Sequence, residues 1–150
     1  MYIIQLLRDS LSDCESCPMP TDKKRLGQIG EDLAARYLAG LGYTVIARNF
    51  RAHLPGMSCC PSRPGRVIAE LDIVAADADT LVFVEVKTRR SQRWGSPLES
   101  ITPAKMAKLR LAAQVYLSLS KVDYTNIRFD ALSLLLQAEG WEITHLKDIG

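Results

Sequence analysis

The sequence lacks any run of apolar residues that approaches the roughly 20 residues of a membrane-spanning helix. Its apolar segment near the start, Met1 to Leu7, is short, and the charged residues Arg8, Asp9 and Asp13 follow it. A segment of that length is too short for the apolar centre of a secretory signal peptide, so we find no convincing targeting signal. These absences argue against a membrane partner, and we expect a cytoplasmic protein.

Histidines and regularly spaced cysteines, the usual ligands of zinc, are also scarce, so the sequence does not favour a zinc site. The two histidines, His53 and His145, have no partner at a ligand spacing, so we expect both at the surface. The four cysteines are Cys14, Cys17, Cys59 and Cys60. A four-thiolate zinc site would need all of them, but two adjacent cysteine side chains rarely point at one ion. Free thiols are therefore the default interpretation, with zinc as the alternative.

The chain has little net charge, +2 at pH 7, so its overall charge identifies no partner. Basic residues are nevertheless grouped in one stretch, at Lys87, Arg89, Arg90, Arg93, Lys105, Lys108 and Arg110. A local basic surface of this kind suits a polyanionic partner such as nucleic acid. Solvated surface charge is the alternative, and for any single one of these residues it is the commoner case.

The length of the chain, 150 residues, suits one domain with a single core. We interpret residues 1–21 as an N-terminal extension, with disorder as one reading of it, and residues 22–150 as the domain. Residues 52–66 carry three prolines, two glycines and two adjacent cysteines. We interpret them as a loop insertion, which would be a lid, an added segment or a disordered one.

Hydrophobic periodicity predicts two helices and five strands. The first helix has apolar residues at spacings of three or four from Leu26 to Tyr37, and the second begins with a capping hydroxyl and a proline at Thr102-Pro103. The strands are predicted at Tyr43 to Phe50, in the two halves of 70–87, at Ile127 to Gln137 and at Trp141 to His145. The order α-β-β-β-α-β-β predicts an α/β fold, a mixed sheet with helices packed on it.

Residues 70–87 predict a hairpin with a polar turn at its centre. Mirror pairing about that turn puts Asp72 opposite Glu85 and Glu70 opposite Lys87. Because strand side chains alternate, all four lie on one face. Two like charges about 5 Å apart repel by roughly 3 kcal/mol at an effective dielectric near 20, which is large against a net stability of about 5–15 kcal/mol. A divalent cation, the Lys87 ammonium, a shared proton or open water must offset this repulsion.

The residues around these charges favour a cleft over an open surface. Val82, Val84 and Val86 line one side of the second strand of the hairpin, and Leu81 and Phe83 line the other. A strand that is apolar on both faces is normally covered on both. The carboxylates then lie at the end of a covered face. The alternative is a solvated hairpin with an incidental ion pair.

Two glycines interrupt the first helix. Gly27 and Gly30 each cost about 1 kcal/mol in a helix interior, which indicates that another backbone or a ligand approaches closely. Glu31 lies at the edge of the apolar stripe of this helix. It is either an exposed helical glutamate or a carboxylate that overhangs the sheet, and the residues alone leave both readings open.

Several short motifs occur in a consistent order along the chain. They are Gly27-x-x-Gly30-Glu31, Glu70-x-Asp72, Val84-Glu85-Val86-Lys87-Thr88-Arg89, Thr102-Pro103-x-Lys105 and Arg128-Phe129-Asp130. In this order they resemble the YraN-like family of bacterial proteins. That family is similar to the archaeal Holliday junction resolvases and belongs to the restriction-endonuclease-like superfamily with the PD-(D/E)XK motif. The resemblance covers about Lys24 to Trp141 and implies a restriction-endonuclease-like mixed β-sheet flanked by helices.

The resemblance also implies roles for individual residues. The superfamily's metal-binding aspartate, second carboxylate and lysine match Asp72, Glu85 and Lys87, and the helical glutamate of the resolvases matches Glu31. These four are the implied catalytic residues, and the three carboxylates are the implied ligands of Mg²⁺ or Mn²⁺. Glu70 matches a family position of less clear role.

The implied activity is that of a metal-dependent endonuclease that hydrolyses phosphodiesters in DNA, with branched or junction DNA as a candidate substrate. The metal would lower the pKa of a bound water and neutralise charge on the scissile phosphate. Lys87 would orient that water or stabilise the transition state. Arg89, Arg90 and Lys105 would hold flanking phosphates without reading the base sequence. Analogy with the resolvases also suggests a homodimer.

Two other kinds of function are open. A nuclease fold that binds nucleic acid without cutting it is the first, although the complete set of acidic and lysine positions favours the enzyme. A structural or interaction protein is the second, and it would make Asp72, Glu85 and Lys87 a buried ion network. Such a network predicts no affinity for Mn²⁺, so titration with Mn²⁺ separates it from the other two functions.

Overall fold

The computed structural model describes residues 2–7, 23–53, 66–90, 101–120, 124–138 and 140–150. The two helices are α1, Lys23–Gly40, and α2, Pro103–Ser120. The six strands are β1, Tyr2–Leu7; β2, Thr44–His53; β3, Val67–Asp77; β4, Thr80–Arg89; β5, Asn126–Gln137; and β6, Gly140–Leu146. From α1 to β6 the order is α-β-β-β-α-β-β, so the predicted order is confirmed.

The strands form one sheet in the order β1-β6-β5-β4-β3-β2. β4 and β5 run parallel and the other described neighbours run antiparallel, which confirms the predicted mixed α/β class. β1 comes from the N-terminal extension, for which disorder was one reading, and it pairs with β6 from Tyr2–Leu146 to Leu7–Trp141. Residues 8–21 of the extension lie outside the described residues.

The two helices cover opposite faces of the sheet. Leu38 of α1 belongs to the same buried cluster as Val84, and Leu109 of α2 belongs to the same buried cluster as Phe83. Because Val84 and Phe83 are neighbours in β4, this strand is apolar and covered on both faces, as its sequence predicts. Neither of the two described helices combines the length and the apolar character that crossing a bilayer requires.

The start of α2 follows from its first residues. The hydroxyl of Thr102 accepts a hydrogen bond from the backbone N–H of Lys105 at 3.2 Å, and Pro103 is the first helical residue. A proline at that position loses no hydrogen bond of the helix. This cap fixes where the helix begins and therefore where the side chain of Lys105 leaves its first turn.

The central hairpin pairs in the predicted register. β3 and β4 are in register from Asp77–Thr80 beside the turn to Ile73–Val84. Ala78 in the turn has a φ of 54°, a left-handed conformation of the kind that tight hairpin turns require. The described pairing ends at Ile73–Val84, one residue before Asp72 and Glu85 would meet.

β2 is longer than its sequence predicts. It runs to His53, and Ala52 is fully buried opposite Ala69 of β3. The loop predicted at residues 52–66 therefore begins two residues later, because pairing with β3 continues through them. Residues 54–65 and all four cysteines lie outside the described residues, so the loop and zinc readings apply to a part of the chain that is not described.

The prediction that His145 lies at the surface is wrong. Its side chain is fully buried, and its Nε2 lies 3.1 Å from Oδ2 of the equally buried Asp130. Alternation along β6 places His145 on the same face as Ile143, opposite Leu132 of β5, so it enters the core beneath α1. The ring of Tyr37 in α1 meets the imidazole edge to face, with centroids 5.8 Å apart.

Candidate active site

Asp72 lies where the central hairpin stops pairing. The backbone N–H of Val86 donates a hydrogen bond to Oδ2 of Asp72 at 2.7 Å, instead of to a backbone carbonyl of β3. The carboxylate thereby satisfies a donor that the diverging strand leaves without a ladder partner. Asp72 is therefore held between the diverging ends of β3 and β4.

A break in strand alternation accompanies this divergence. Leu71 and Val74 belong to the same buried cluster beneath α2, although strict alternation would place them on opposite faces. In the neighbouring β2, Asn49 has a φ of 53° and falls opposite Asp72 between two regular pairs. Asparagine adopts this left-handed conformation readily but is depleted in strands, so Asn49 is the sequence signal of the break.

Glu85 and Lys105 form an ion pair beside Asp72. Glu85 comes from β4 and its side chain is 12% exposed, whereas Lys105 comes from the first turn of α2 and is 40% exposed. Lys87, two residues further along β4, is exposed and has no ion pair among the described residues. The Glu85 carboxylate thus has a lysine partner, but from α2 rather than from the hairpin.

The charges around Asp72 are not balanced. Burial and the neighbouring Glu85 carboxylate raise the pKa of Asp72 from 3.8 to about 7. Glu31 acts on this pKa in the same direction, whereas the hydrogen bond from Val86 and the charge of Lys105 oppose it. The site therefore holds more negative charge than its own cation offsets. The structure brings Glu31, which is half-buried, into electrostatic range of the pair.

Glu31 reaches this position because α1 lies close to the end of β4. A Cβ added to Gly30 would lie 1.8 Å from Oγ1 of Thr88 and 2.9 Å from its Cβ. A close approach is therefore present at Gly30, but it is made by the side chain of Thr88 and not by the backbone or ligand that was predicted. A Cβ added to Gly27 meets no described atom within 4 Å, so no described backbone approaches closely there.

Gly30→Ala and Gly27→Ala are expected to change the free energy of unfolding in opposite directions. Alanine gains up to about 1 kcal/mol over glycine inside a helix, and at Gly27 no described atom opposes that gain. At Gly30 the clash with Thr88 pushes α1 away from β4, at a net cost of about 1–3 kcal/mol. Urea unfolding measures both effects, and equal stabilisation of the two variants would contradict the close contact.

The two carboxylates line a cavity of about 300 Å³ beside the first turns of α2. Its polar wall consists of Glu70, Asp72, Glu85, Lys105 and Lys108. A second cavity of about 20 Å³ has Glu85, Lys87, Lys105 and Ser133 as its polar lining. The second cavity is large enough for about one water molecule, whereas the first has room for a phosphate group.

Glu70 departs from its predicted arrangement. Its carboxylate pairs with Nε of Arg51 in β2 at 3.1 Å, and both side chains are more than half exposed. Glu70 lies opposite Arg51 in the regular part of β3 that precedes the break between Leu71 and Val74. Glu70 borders the larger cavity but is not among the groups that shift the pKa of Asp72. The predicted position of Glu70 opposite Lys87 is not among the described strand pairs, and its carboxylate pairs with Arg51 instead.

The basic residues predicted to hold phosphates are not all at the cavity. Arg89 is the last residue of β4 and is half-buried, and the exposed Arg90 follows it, but neither lines either of these two cavities. Lys105 lines both, and Lys108 joins it at the larger one. From the sequence alone, Lys108 is grouped only with the basic stretch. Its spacing of three residues from Lys105 on a helix is the signal that places the two lysines on the same side of α2.

A pair of carboxylates, rather than a complete set of metal ligands, is present at the site. Within the described parts of the chain, no three His, Cys, Asp or Glu side chains are grouped so that they could hold a metal ion. Asp72 and Glu85 supply hard oxygen donors of the kind that Mg²⁺ prefers. Further ligands would have to come from water, from Glu31 or from a bound substrate.

Comparison with known proteins places these residues inside a shared region. The profile described as Uncharacterised protein family UPF0102 matches residues 30–134. A UPF0102 protein of Syntrophus aciditrophicus is 36% identical over 128 residues, which cover 85% of this chain and 90% of the relative. A UPF0102 protein of Syntrophomonas wolfei is 40% identical over 123 residues, which cover 82% and 95%. A third, of Acidothermus cellulolyticus, is 43% identical over 127 residues, which cover 78% and 86%.

Proposed function

The chain belongs to the uncharacterised protein family UPF0102, and we propose that it is a metal-dependent endonuclease that acts on DNA. UPF0102 is the YraN-like family that the sequence motifs resemble, so the predicted family membership is confirmed. The family description names no activity. The proposal therefore rests on the chemistry of the site.

The half-buried pair of carboxylates, Asp72 and Glu85, is the observation that carries the proposal. Asp72 and Glu85 meet where burial and their mutual repulsion raise the pKa of Asp72 to about 7, and Lys105 offsets only part of this charge. A divalent cation would remove the remaining repulsion. Two carboxylates with a third nearby suit Mg²⁺ or Mn²⁺, whereas zinc sites are built mainly from sulfur and nitrogen ligands.

Each residue of the site has a role in this proposal. Asp72 and Glu85 would hold the ion, and Glu31 is the candidate third ligand. When bound, Mg²⁺ or Mn²⁺ supplies electrostatic stabilisation of the scissile phosphate and lowers the pKa of the attacking water. Lys87, which shares the water-sized cavity with Glu85, would orient that water or neutralise charge that develops in the transition state.

The substrate would be held by the basic residues around the larger cavity. Lys105 and Lys108 lie on the wall of this cavity. Arg89, the last residue of β4, and Arg90, which follows it, would contact phosphates further along the DNA backbone. Contacts of this kind bind the backbone without reading the base sequence. The resemblance to the restriction-endonuclease-like superfamily and to the archaeal resolvases favours DNA, with branched or junction DNA as the candidate substrate and a homodimer as the candidate assembly.

A nucleic-acid-binding module without catalytic activity is the second candidate. One observation favours it, because among the described residues no three potential ligands are already grouped around a metal position. The lysines of the cavity would then bind phosphates, and the carboxylate pair would not take part in cleavage.

Cleavage assays are expected to show Mg²⁺- or Mn²⁺-dependent cutting of DNA that EDTA abolishes. Four-way junctions, flaps, linear duplex and single strands tested in parallel identify the preferred substrate. Asp72→Asn and Glu85→Gln keep the shape of the site but remove its charge, so each should lower the cleavage rate by at least about 100-fold, the size of losing one transition-state electrostatic contact. Gel electrophoresis of labelled DNA measures the rates.

Glu70→Gln is the matched control, because it removes a carboxylate of the same strand that is paired with Arg51 instead. This variant should cut at nearly the rate of the unchanged protein. Cleavage that persists in Asp72→Asn and Glu85→Gln would contradict the proposal. Tight DNA binding without cutting under every metal condition would favour the binding module.

A further inference from the structure

Lys105 lies where a bound cation would be expected. Its Nζ forms an ion pair with Glu85, whose side chain is only 12% exposed, while its own side chain is 40% exposed. The ammonium therefore reaches the carboxylate from the solvent side. The backbone of Lys105 is fixed independently by the cap that Thr102 provides. The side chain can thus leave Glu85 without any movement of α2.

The ion pair also separates the two cavities of the site. Glu85, Lys105 and Leu109 line both the cavity of about 300 Å³ and the cavity of about 20 Å³. Asp72 lines only the first and Lys87 only the second. Parting Lys105 from Glu85 would therefore free the Glu85 carboxylate for a ligand in the larger cavity, which it already lines, and connect that cavity with the water-sized one.

We propose that Lys105 is a built-in counter-ion that occupies the divalent-cation site of the free protein and is displaced when a cation binds. The proposal rests on the proposed function, because it takes Asp72 and Glu85 as the ligands of that cation. A divalent ion carries twice the charge of an ammonium and can bind oxygens of both carboxylates. It therefore replaces Lys105 once its concentration is sufficient.

Displacement gives Lys105 a second position. Lys108 lies on the wall of the larger cavity one helical turn away, so a displaced Lys105 side chain would join it there. Two neighbouring ammonium groups bind a phosphate, and a bound phosphate in turn holds Lys105 away from Glu85. Cation binding and nucleic-acid binding then strengthen each other, and by linkage the two effects have the same size.

Calorimetric titration with Mn²⁺ tests the competition. Lys105→Met keeps most of the apolar stem and removes the charge, and it should bind Mn²⁺ about three- to tenfold more tightly than the unchanged protein, because it has no ion pair to break. Lys108→Met is the matched control, since it removes a charge from the same cavity without breaking a described ion pair. Its affinity should change by less than about twofold. Thermal unfolding checks the fold of each variant, and Lys105→Gln replaces the methionine variant where that one fails to fold.

Chemical accessibility gives a readout that does not depend on cleavage. Reductive methylation followed by peptide mass spectrometry should show faster modification of Lys105 when saturating Mn²⁺ is added. Lys147, which lies over the ring of Tyr43 and lines neither of the two cavities, should be modified at an unchanged rate. Modification of Lys105 that Mn²⁺ slows or leaves unchanged would overturn the displacement.

The outcomes separate this proposal from the proposed function. Mn²⁺ binding that is tighter only in Lys105→Met, or detectable only in that variant, supports the proposal that Lys105 is a counter-ion. Equal affinity of Lys105→Met and the unchanged protein for Mn²⁺ overturns the counter-ion proposal and remains consistent with the proposed metal site. Equal tightening in both lysine variants also overturns it, because general electrostatics then explains the effect. Absence of Mn²⁺ binding in all three proteins overturns the counter-ion and the proposed metal site together.

Discussion

Asp72→Asn is expected to make the protein more stable at about pH 8 and, in the same variant, to abolish Mn²⁺ binding. Burial and the charge of Glu85 raise the pKa of Asp72 from 3.8 to about 7, so the folded protein keeps a proton that the unfolded chain has lost. Each unit of such a shift corresponds to about 1.4 kcal/mol. Ionised Asp72 thus lowers the free energy of unfolding by about 2–4 kcal/mol, and asparagine removes this cost.

The pH dependence of this effect has a definite sign. Below about pH 4, Asp72 is protonated in both the folded and the unfolded protein, so the charge costs nothing there. The cost grows as the pH rises from 3.8 to about 7 and is complete above that range. The stability difference between Asp72→Asn and the unchanged protein should therefore be small at about pH 4 and largest at about pH 8.

Urea unfolding across this pH range provides the measurement. Asparagine keeps an oxygen that can accept the hydrogen bond from Val86, so the comparison isolates the charge. Glu70→Gln serves as control, because a pair as exposed as Glu70 and Arg51 contributes at most about 1 kcal/mol. If Asp72→Asn were as destabilising at high pH as at low pH, the charge of Asp72 would not be costly in the fold.

The parts of the site that could be predicted depend on local sequence. The polar turn at the centre of 70–87 fixed the hairpin register, which the structure matches from Asp77–Thr80 to Ile73–Val84. Apolar residues on both sides of β4 indicated a strand covered on both faces, and the two helices do cover them. Each of these predictions needed only periodicity and the mirror symmetry of a hairpin.

The remaining parts depend on contacts between distant segments. No spacing rule links Glu85 with Lys105, because they meet only after α2 has packed on the sheet. The partner of Glu70 comes from β2, and the break at Asp72 involves Asn49 in that same neighbouring strand. A pairing register can be read from one hairpin, but these contacts require the order of the strands and the placement of the helix.

Contacts between distant segments also form a buried polar cluster around Asp130, on the face of the sheet beneath α1, which the sequence did not predict. Asp130 is fully buried, and its carboxylate accepts hydrogen bonds from Arg128 at 2.9 and 3.1 Å, from His145 at 3.1 Å and from the backbone N–H of Asp148 at 3.0 Å. Arg128 also donates to Asp77 at 3.0 Å. These contacts join β3, β5, β6 and the residues that follow β6.

The Asp130 carboxylate differs from that of Asp72 because hydrogen-bond donors and a positive charge compensate its negative charge. Burial by itself would raise the pKa of Asp130, but hydrogen bonds from His145 and Arg128 outweigh that effect and hold the pKa below 3.8. Ionised Asp130 therefore stabilises the fold at neutral pH, and this contribution is lost as the pH falls from about 4 through the lowered pKa. We interpret Asp130 as structural, although it belongs to one of the motifs on which the family resemblance rests.

Asp130→Ala is expected to lower the free energy of unfolding by about 3–5 kcal/mol at neutral pH, because it leaves the charge of Arg128 with only part of its compensation. Asp130→Leu combined with Arg128→Met removes both charges, and it should lose less than the sum of the two single changes. Urea unfolding of the unchanged protein, Asp130→Leu, Arg128→Met and the double variant completes this cycle. Mn²⁺ titration of the folded fraction then separates a structural role of Asp130 from a role in metal binding. Val84, the neighbour of Asp130 in β4, faces α1, whereas Glu85 pairs with Lys105 of α2, so Asp130 and the Glu85 carboxylate lie on opposite faces of the sheet. An unchanged Mn²⁺ affinity is expected, and a large loss of affinity in a folded variant would instead make Asp130 part of the active site.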